Sequence, residues 1–207
     1  MKRCVIIGGA EIKRYDIIKA YLRDDDFNIF CDSGLYHKDS LNIEANLIVG
    51  DFDSHPRPEG ECETIILPRE KDDTDTVFAA KEAMQRGFCD FLLIGVCGGR
   101  LDHTLGNVSI LLMLHASGFD GKIVDDFSEM EILDKTTKYI DDTFPYFSLL
   151  NIDGVCRGVV ERNVKFPLED AEITAEYQYG ISNEVLLGKV AEVSVNDGRA
   201  LLIKVRK

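Results

Sequence analysis

The sequence predicts an α/β fold: an N-terminal, largely parallel sheet with helices on both faces, followed by a C-terminal all-β sandwich. Three observations carry this. Through residue 124, short apolar runs alternate with segments of helical spacing. Five of those runs end in a glycine-rich or acidic segment, as expected where strand ends carry a site. Past residue 124 the helical periodicity stops, and short β-like stretches separated by turn residues replace it. The expected division is 1–124 for an α/β catalytic unit and 125–207 for a β-sandwich unit.

Each element has its own signal. Cys4 to Ile7 is an apolar strand ending at Gly8-Gly9, and Ile12 to Leu22 has helical spacing. Phe27 to Cys31 is a strand ending at Asp32-Ser33-Gly34, and Leu47 to Val49 is one ending at Gly50-Asp51-Phe52-Asp53-Ser54. Thr64 to Leu67 is a strand closed by Pro68. A helix is expected over Thr74 to Arg86: Thr74 can cap it, Val77, Ala80 and Met84 share a face, and Gly87 can end it. Phe91 to Val96 is the next strand, Thr104 to Ala116 an apolar helix, and Lys122 to Val124 a further strand. In the second half, strands are expected at Glu131–Leu133, Tyr146–Ile152, Gly158–Val160, Ala191–Val195 and Ala200–Val205. Asp153-Gly154 and Asn196-Asp197-Gly198 read as turns between them.

Composition narrows the function. The 207 residues carry a net charge of -13, which counts against general nucleic-acid binding. An anionic nucleotide substrate stays open, since a cation and a few local bases can neutralise phosphates. The six cysteines include no CxxC pair, so a reducing compartment, by default the cytoplasm, is expected rather than a zinc or disulfide framework. No apolar run is long enough to span a membrane, so no membrane partner is expected.

The chemistry-bearing segments converge on one sheet edge. In extended chain Asp51 and Asp53 project to the same side, giving hard oxygen ligands suited to Mg²⁺, though a DxD pair can also be surface acids in a turn. Asp72, Asp73 and Asp75 flank Thr74 at a strand-to-helix junction and would repel without a cation; singly, Asp75 also suits a helix start. Arg100 follows Gly98-Gly99, where backbone can approach a phosphate and a guanidinium can grip it. Asp102 can orient Arg100 or hold a metal-bound water. His103 at a helix start has a structural reading beside a catalytic one. Walker A and GxGxxG signatures are absent.

Together these segments resemble the thiamine pyrophosphokinase family. The matching pieces are Gly50-Asp51-Phe52-Asp53-Ser54, Lys71-Asp72-Asp73-Thr74-Asp75, Gly98-Gly99-Arg100-Leu101-Asp102-His103 with Asn107, and Ser182-Asn183-Glu184. Val164 to Leu168 resembles a segment that commonly reads Gly-Leu-Lys-Trp or Gly-Leu-Lys-Tyr. Here Asn163 and Val164 stand for Gly and Leu, and Phe166 for the larger aromatic. The resemblance implies pyrophosphate transfer from ATP to the thiamine hydroxyl, with Mg²⁺, giving thiamine diphosphate and AMP. It implies Asp51, Asp53 and Asp75 as metal ligands, with Asp72, Arg100 and Asp102 completing the catalytic set. The nucleotide would meet Asp32, Lys71, Thr74, Arg100, His103 and Asn107, and thiamine would meet Phe166, Ser182 and Asn183. It further implies a homodimer whose active sites are shared between subunits. Asp72, Asp102 or a phosphate oxygen could take the hydroxyl proton. The rival functions are a pyrophosphokinase for another alcohol such as a hydroxymethylpterin, a non-catalytic thiamine or nucleotide sensor, and a DxD phosphohydrolase.

Overall fold

A computed structural model describes residues 2–53, 56 and 58–206. Ser54, the last residue of the double-Asp segment, lies outside the described residues. The chain divides into two compact units, Met1–Asp126 and Phe127–Lys207.

The first unit is a parallel sheet. Its strands are β1 (Cys4–Ile7), β2 (Phe27–Cys31), β3 (Leu47–Gly50), β4 (Thr64–Ile66), β5 (Asp90–Ile94) and β6 (Asp120–Val124), in the order β4-β3-β2-β1-β5-β6. β1, β2, β3 and β5 are almost wholly buried, so they read as continuous apolar runs instead of alternating ones. One sheet face packs Val5, Ile7, Phe30, Leu92 and Ile94 against Ile18 and Leu41, from the short helices α1 (Tyr15–Lys19) and α2 (Lys38–Leu41). α3 (Asp75–Gln85) and α4 (Leu101–Ala116) serve the other face: Cys31 Sγ approaches Asp75 O at 3.7 Å, and Gly121 on β6 leaves room for Leu111 and Leu114.

Some helix boundaries differ from expectation. The helix expected over residues 12–22 shrinks to α1, because Asp126 accepts the Lys13 and Arg14 N–H groups at 2.9 and 3.0 Å and holds that segment outside the helix. α3 is capped as expected by Thr74, whose Oγ1 accepts the Val77 N–H, and Gly87 follows it at φ +88°. Its fully buried residues are Ala79, Ala80 and Ala83, while Val77 and Met84 lie partly exposed. α4 starts three residues early, so Arg100 becomes its N-cap and Asp102 and His103 fall in its first turn.

The second unit is antiparallel and layered. Its strands are β7 (Ser128–Leu133), β8 (Thr137–Asp141), β9 (Tyr146–Arg162), β10 (Leu168–Thr174), β11 (Val190–Ser194) and β12 (Asp197–Val205). The expected turn at Asp153-Gly154 is instead part of β9, a single 17-residue strand in which Gly154 absorbs a φ of +75°. The N-terminal part of β9 pairs with β12, whose other neighbour is β7; its C-terminal part pairs with β10 and β11, and β11 pairs with β8. One bent strand thus serves two sheets, and Leu133, Phe147, Leu149, Val159, Ile173 and Val193 fill the core.

Candidate active site

The site is built where parallel register brings two strand ends beside the start of a helix. Cys31 of β2 pairs with Val49 of β3, so the residues just after each strand are neighbours. Asp32 follows one and Gly50-Asp51 the other. A side chain at Gly50 would put its Cβ 3.0 Å from that of Asp32, so glycine there leaves room for the carboxylate. Asp75 joins them as the first residue of α3. One ligand oxygen from each of Asp32, Asp51 and Asp75 lies within 4.8 Å of the others.

The cluster differs in one member from the expected set of Asp51, Asp53 and Asp75. Phe52 takes a φ of +57°, so the chain is not extended through it and the same-side argument for Asp51 and Asp53 fails. Asp53 is exposed, and its N–H reaches Asp51 Oδ1 at 3.3 Å. Asp53 still lines the cavity wall, but Asp32 takes the third place in the cluster.

Lys71 organises the acids. Its Nζ lies 2.7 Å from Asp51 Oδ2 and 2.7 Å from Asp75 Oδ1, and all three side chains are largely buried. The hydrogen bond from Lys71 holds the Asp51 carboxyl below the usual carboxylate range. Burial pushes Asp75 up; Lys71 opposes that, while Asp51 and Asp32 add to it. Burial pulls Lys71 down, but its bonds to both acids outweigh this, and it titrates above an ordinary lysine. Asp32 Oδ1 is buried with no hydrogen-bond partner. A concentration of carboxylate oxygen with one orphaned, buried atom fits a hard divalent cation such as Mg²⁺.

The cluster opens into a cavity of about 400 Å³ lined also by Gly8, Gly9, Asp72, Thr74, Arg100 and His103. A neighbouring cavity of about 420 Å³ continues past Gly98, Gly99 and Asn107. Small residues let the loops crowd here: a Cβ on Gly9 would fall 1.9 Å from Ser33 Oγ, and one on Gly34 would fall 2.2 Å from Ile7 O. Arg69 lines the wall too, and sequence reasoning did not single it out. Its only signal is its position shortly after a strand.

The other expected residues take distinct places. Arg100 and Asp102 form an exposed two-point ion pair, at 3.2 and 2.5 Å, so Asp102 orients the guanidinium. The bond from Arg100 holds the Asp102 carboxyl down at about 2. His103 is exposed beside them. Asn107 is buried, and its Nδ2 donates to Val96 O at 2.8 Å, tying the glycine loop to α4. Asp73 pairs with Lys81, while Asp72 stays exposed at the cavity.

In the second unit Phe166 is 58% exposed and Ser182 is exposed in the left-handed region, at φ +58°. Asn183, expected as a substrate contact, is buried in this fold. It is 4% exposed, and its amide is engaged internally on both sides. Nδ2 donates to Glu161 Oε2 and Phe166 O, and Oδ1 accepts from Phe166 N and Glu184 N. With two donors and two acceptor sites used, it holds backbone in place rather than facing a ligand.

A parallel α/β sheet with an acid cluster and basic groups at its C-terminal edge has the layout of enzymes that bind phosphorylated ligands at strand ends. Comparison makes this particular. The model for thiamin pyrophosphokinase, catalytic domain, matches residues 18–123, and that for thiamin pyrophosphokinase, vitamin B1 binding domain, matches residues 132–199. The chain belongs to the thiamin pyrophosphokinase family. It is 25% identical over 197 residues to thiamine pyrophosphokinase of Bacillus subtilis, covering 90% of this chain and 91% of that one. The crystal structure of the B. subtilis enzyme superposes with a TM-score of 0.85 at 21% identity, over 100% of both chains. Yeast thiamin pyrophosphokinase superposes with a TM-score of 0.70 at 16% identity, over 99% of this chain and 86% of that one. At these identities the structures show the shared fold.

Proposed function

We propose that this protein is an ATP:thiamine diphosphotransferase, moving pyrophosphate from ATP to the thiamine hydroxyl to give thiamine diphosphate and AMP. The observation that carries it is the match of both family models, catalytic and vitamin B1-binding, to the two halves of one chain. That pairing disfavours a kinase for a hydroxymethylpterin, and the assembled acid cluster disfavours a sensor that has lost catalysis.

In this reading Asp32, Asp51 and Asp75 would hold Mg²⁺, with Asp53 on the cavity wall beside them, and the ion would supply positive charge to neutralise the phosphates. Lys71 supplies a fixed positive charge beside the acids, and Arg100, oriented by Asp102, supplies another at the cavity mouth. The glycine loops give the triphosphate close approach to backbone, with Thr74, His103 and the Asn107-anchored loop along its path. Asp72 at the cavity, Asp102 and a phosphate oxygen are the groups open to the hydroxyl proton, and Asp102 is already engaged with Arg100.

Thiamine sits on the Phe166–Ser182 edge of the second unit. The Phe166 ring is exposed, with a face that can meet a cationic ring. The same edge carries exposed Ile181, Leu186 and Leu187, and α4 exposes Leu101 and Leu105. These apolar residues support a second copy as partner, in a homodimer with the β unit of one chain beside the acids of the other. Among the described residues no helix is long and apolar enough to cross a membrane. Six free cysteines support the cytoplasm as the compartment.

The test is a substrate panel with ATP and Mg²⁺, following AMP. AMP should form with thiamine and not with a hydroxymethylpterin; the reverse preference would overturn the reading.

A further inference from the structure

Glu161 breaks the burial rule of its strand. It lies on the inward face of β9 with Val159, where the alternation calls for an apolar residue, and its cross-strand neighbours are Leu168 and Val193. It has no exposure to solvent. A carboxyl in such a place costs free energy unless both oxygens are partnered. Only Oε2 is partnered, accepting from Asn183 Nδ2 at 2.5 Å, while Oε1 is buried without a hydrogen-bond partner. Sites that break a local rule in this way are expected where function, rather than stability, sets the residue.

What Glu161 holds points to that function. Of the four bonds made by the Asn183 amide, the other three go to backbone: Phe166 N at 3.1 Å, Phe166 O at 2.8 Å and Glu184 N at 2.9 Å. The amide therefore clips the Phe166 backbone from both sides. Glu161 accepts the remaining Asn183 proton and anchors the clip in the core. Above it, the Phe166 ring stands in solvent, one residue from the Lys165–Glu184 ion pair.

We propose that Glu161 is a positioning residue for substrate binding: through Asn183 it fixes the backbone that presents the Phe166 ring to thiamine. This rests on the reading that thiamine occupies the Phe166–Ser182 edge. Glu161 touches no reacting atom, so its effect should appear in thiamine affinity and not in the nucleotide half of the reaction.

The test is steady-state kinetics of the full chain with thiamine and ATP varied separately, for Glu161→Leu, Glu161→Gln and Val159→Ala. Glu161→Leu should raise the thiamine KM by roughly 10-fold, the loss expected for a strong buried hydrogen bond, and leave the ATP KM in place. Glu161→Gln, whose carbonyl can accept the same N–H, should restore most of that affinity. Val159→Ala, a core truncation two residues away, should lower the Tm without moving the thiamine KM. A Glu161→Leu enzyme with the parental thiamine KM overturns the inference. If that variant does not fold, the parent's Asn183 side-chain amide signals in a ¹⁵N NMR spectrum decide: they should shift when thiamine is added, and indifference to saturating thiamine overturns the inference. A parent chain that forms no AMP with thiamine overturns the functional reading along with it, whereas an active parent indifferent to Glu161 overturns this inference alone.

Discussion

At the scale of single residues, the acid cluster is the sharpest feature. Asp75→Asn, Asp51→Asn and Asp32→Asn should each lower turnover about 100-fold or more, the loss typical of removing one charge-stabilising group. Asp53→Asn should cost clearly less, because Asp53 stands outside the cluster. Equal losses at Asp53 and Asp32, measured as AMP release against Mg²⁺ concentration, would contradict the assigned ligand set. The sequence pointed to Asp51, Asp53 and Asp75, whereas the tight cluster joins Asp51 and Asp75 to Asp32, with Asp53 on the wall of the same cavity. The difference follows from Phe52: its left-handed backbone breaks the extended run between Asp51 and Asp53, and a Phe gives no sign of positive φ. Asp32 was legible as a strand-end acid expected to meet the nucleotide, but its closeness to Asp51 and Asp75 is set by sheet order. Glu161 gives a prediction on stability. Burial pushes its carboxyl from 4.5 up to about 7, with Asn183 pulling the other way. An acid raised in the fold makes the folded state bind the extra proton, so its contribution is most favourable below pH 4.5 and is lost as pH rises to about 7. The charge costs about 3 kcal/mol above that window. Glu161→Gln should flatten this part of the stability-versus-pH curve in denaturant titrations; an unchanged slope between pH 5 and 7 would show that Glu161 titrates normally.

At the scale of elements, the strongest local signals were strand runs and one helix cap. Thr74→Ala should destabilise the fold by about 1 kcal/mol, readable as a lower Tm, because Val77 N–H loses its acceptor. It should also weaken turnover, since the capped end of α3 carries Asp75 into the cluster. An unchanged Tm would mean that the cap contributes nothing. Less was legible where tertiary contacts overrode local preference. Asp126 lies more than a hundred residues from Lys13 and Arg14 in sequence, so the shortening of α1 had no local sign. The Asp153-Gly154 pair reads as a turn, but pairing with β12 carries β9 on through it with shifts of register at that point. Asn183 shows the same limit for function. Its place in a recognised motif was visible, but the inward direction of its amide depends on Glu161, some twenty residues earlier.

At the scale of the molecule, the change of texture near residue 124 announced two units of different class, and the two family models match on either side of it. The acids lie in one unit and the exposed Phe166 in the other. If subunits share sites as proposed, mixing an Asp75→Asn chain with a Phe166→Ala, Ser182→Ala chain should restore part of the activity that each has lost. No rescue on mixing, with dimers present by light scattering, would mean that each chain carries its own complete site. The central claim is the transfer of pyrophosphate rather than of one phosphoryl group, and the most direct test is the fate of ATP labelled at the α-phosphorus. Incubated with the protein, Mg²⁺ and thiamine, the label should appear in AMP, one-for-one with thiamine diphosphate. Label in ADP, accompanied by thiamine monophosphate, would contradict the account.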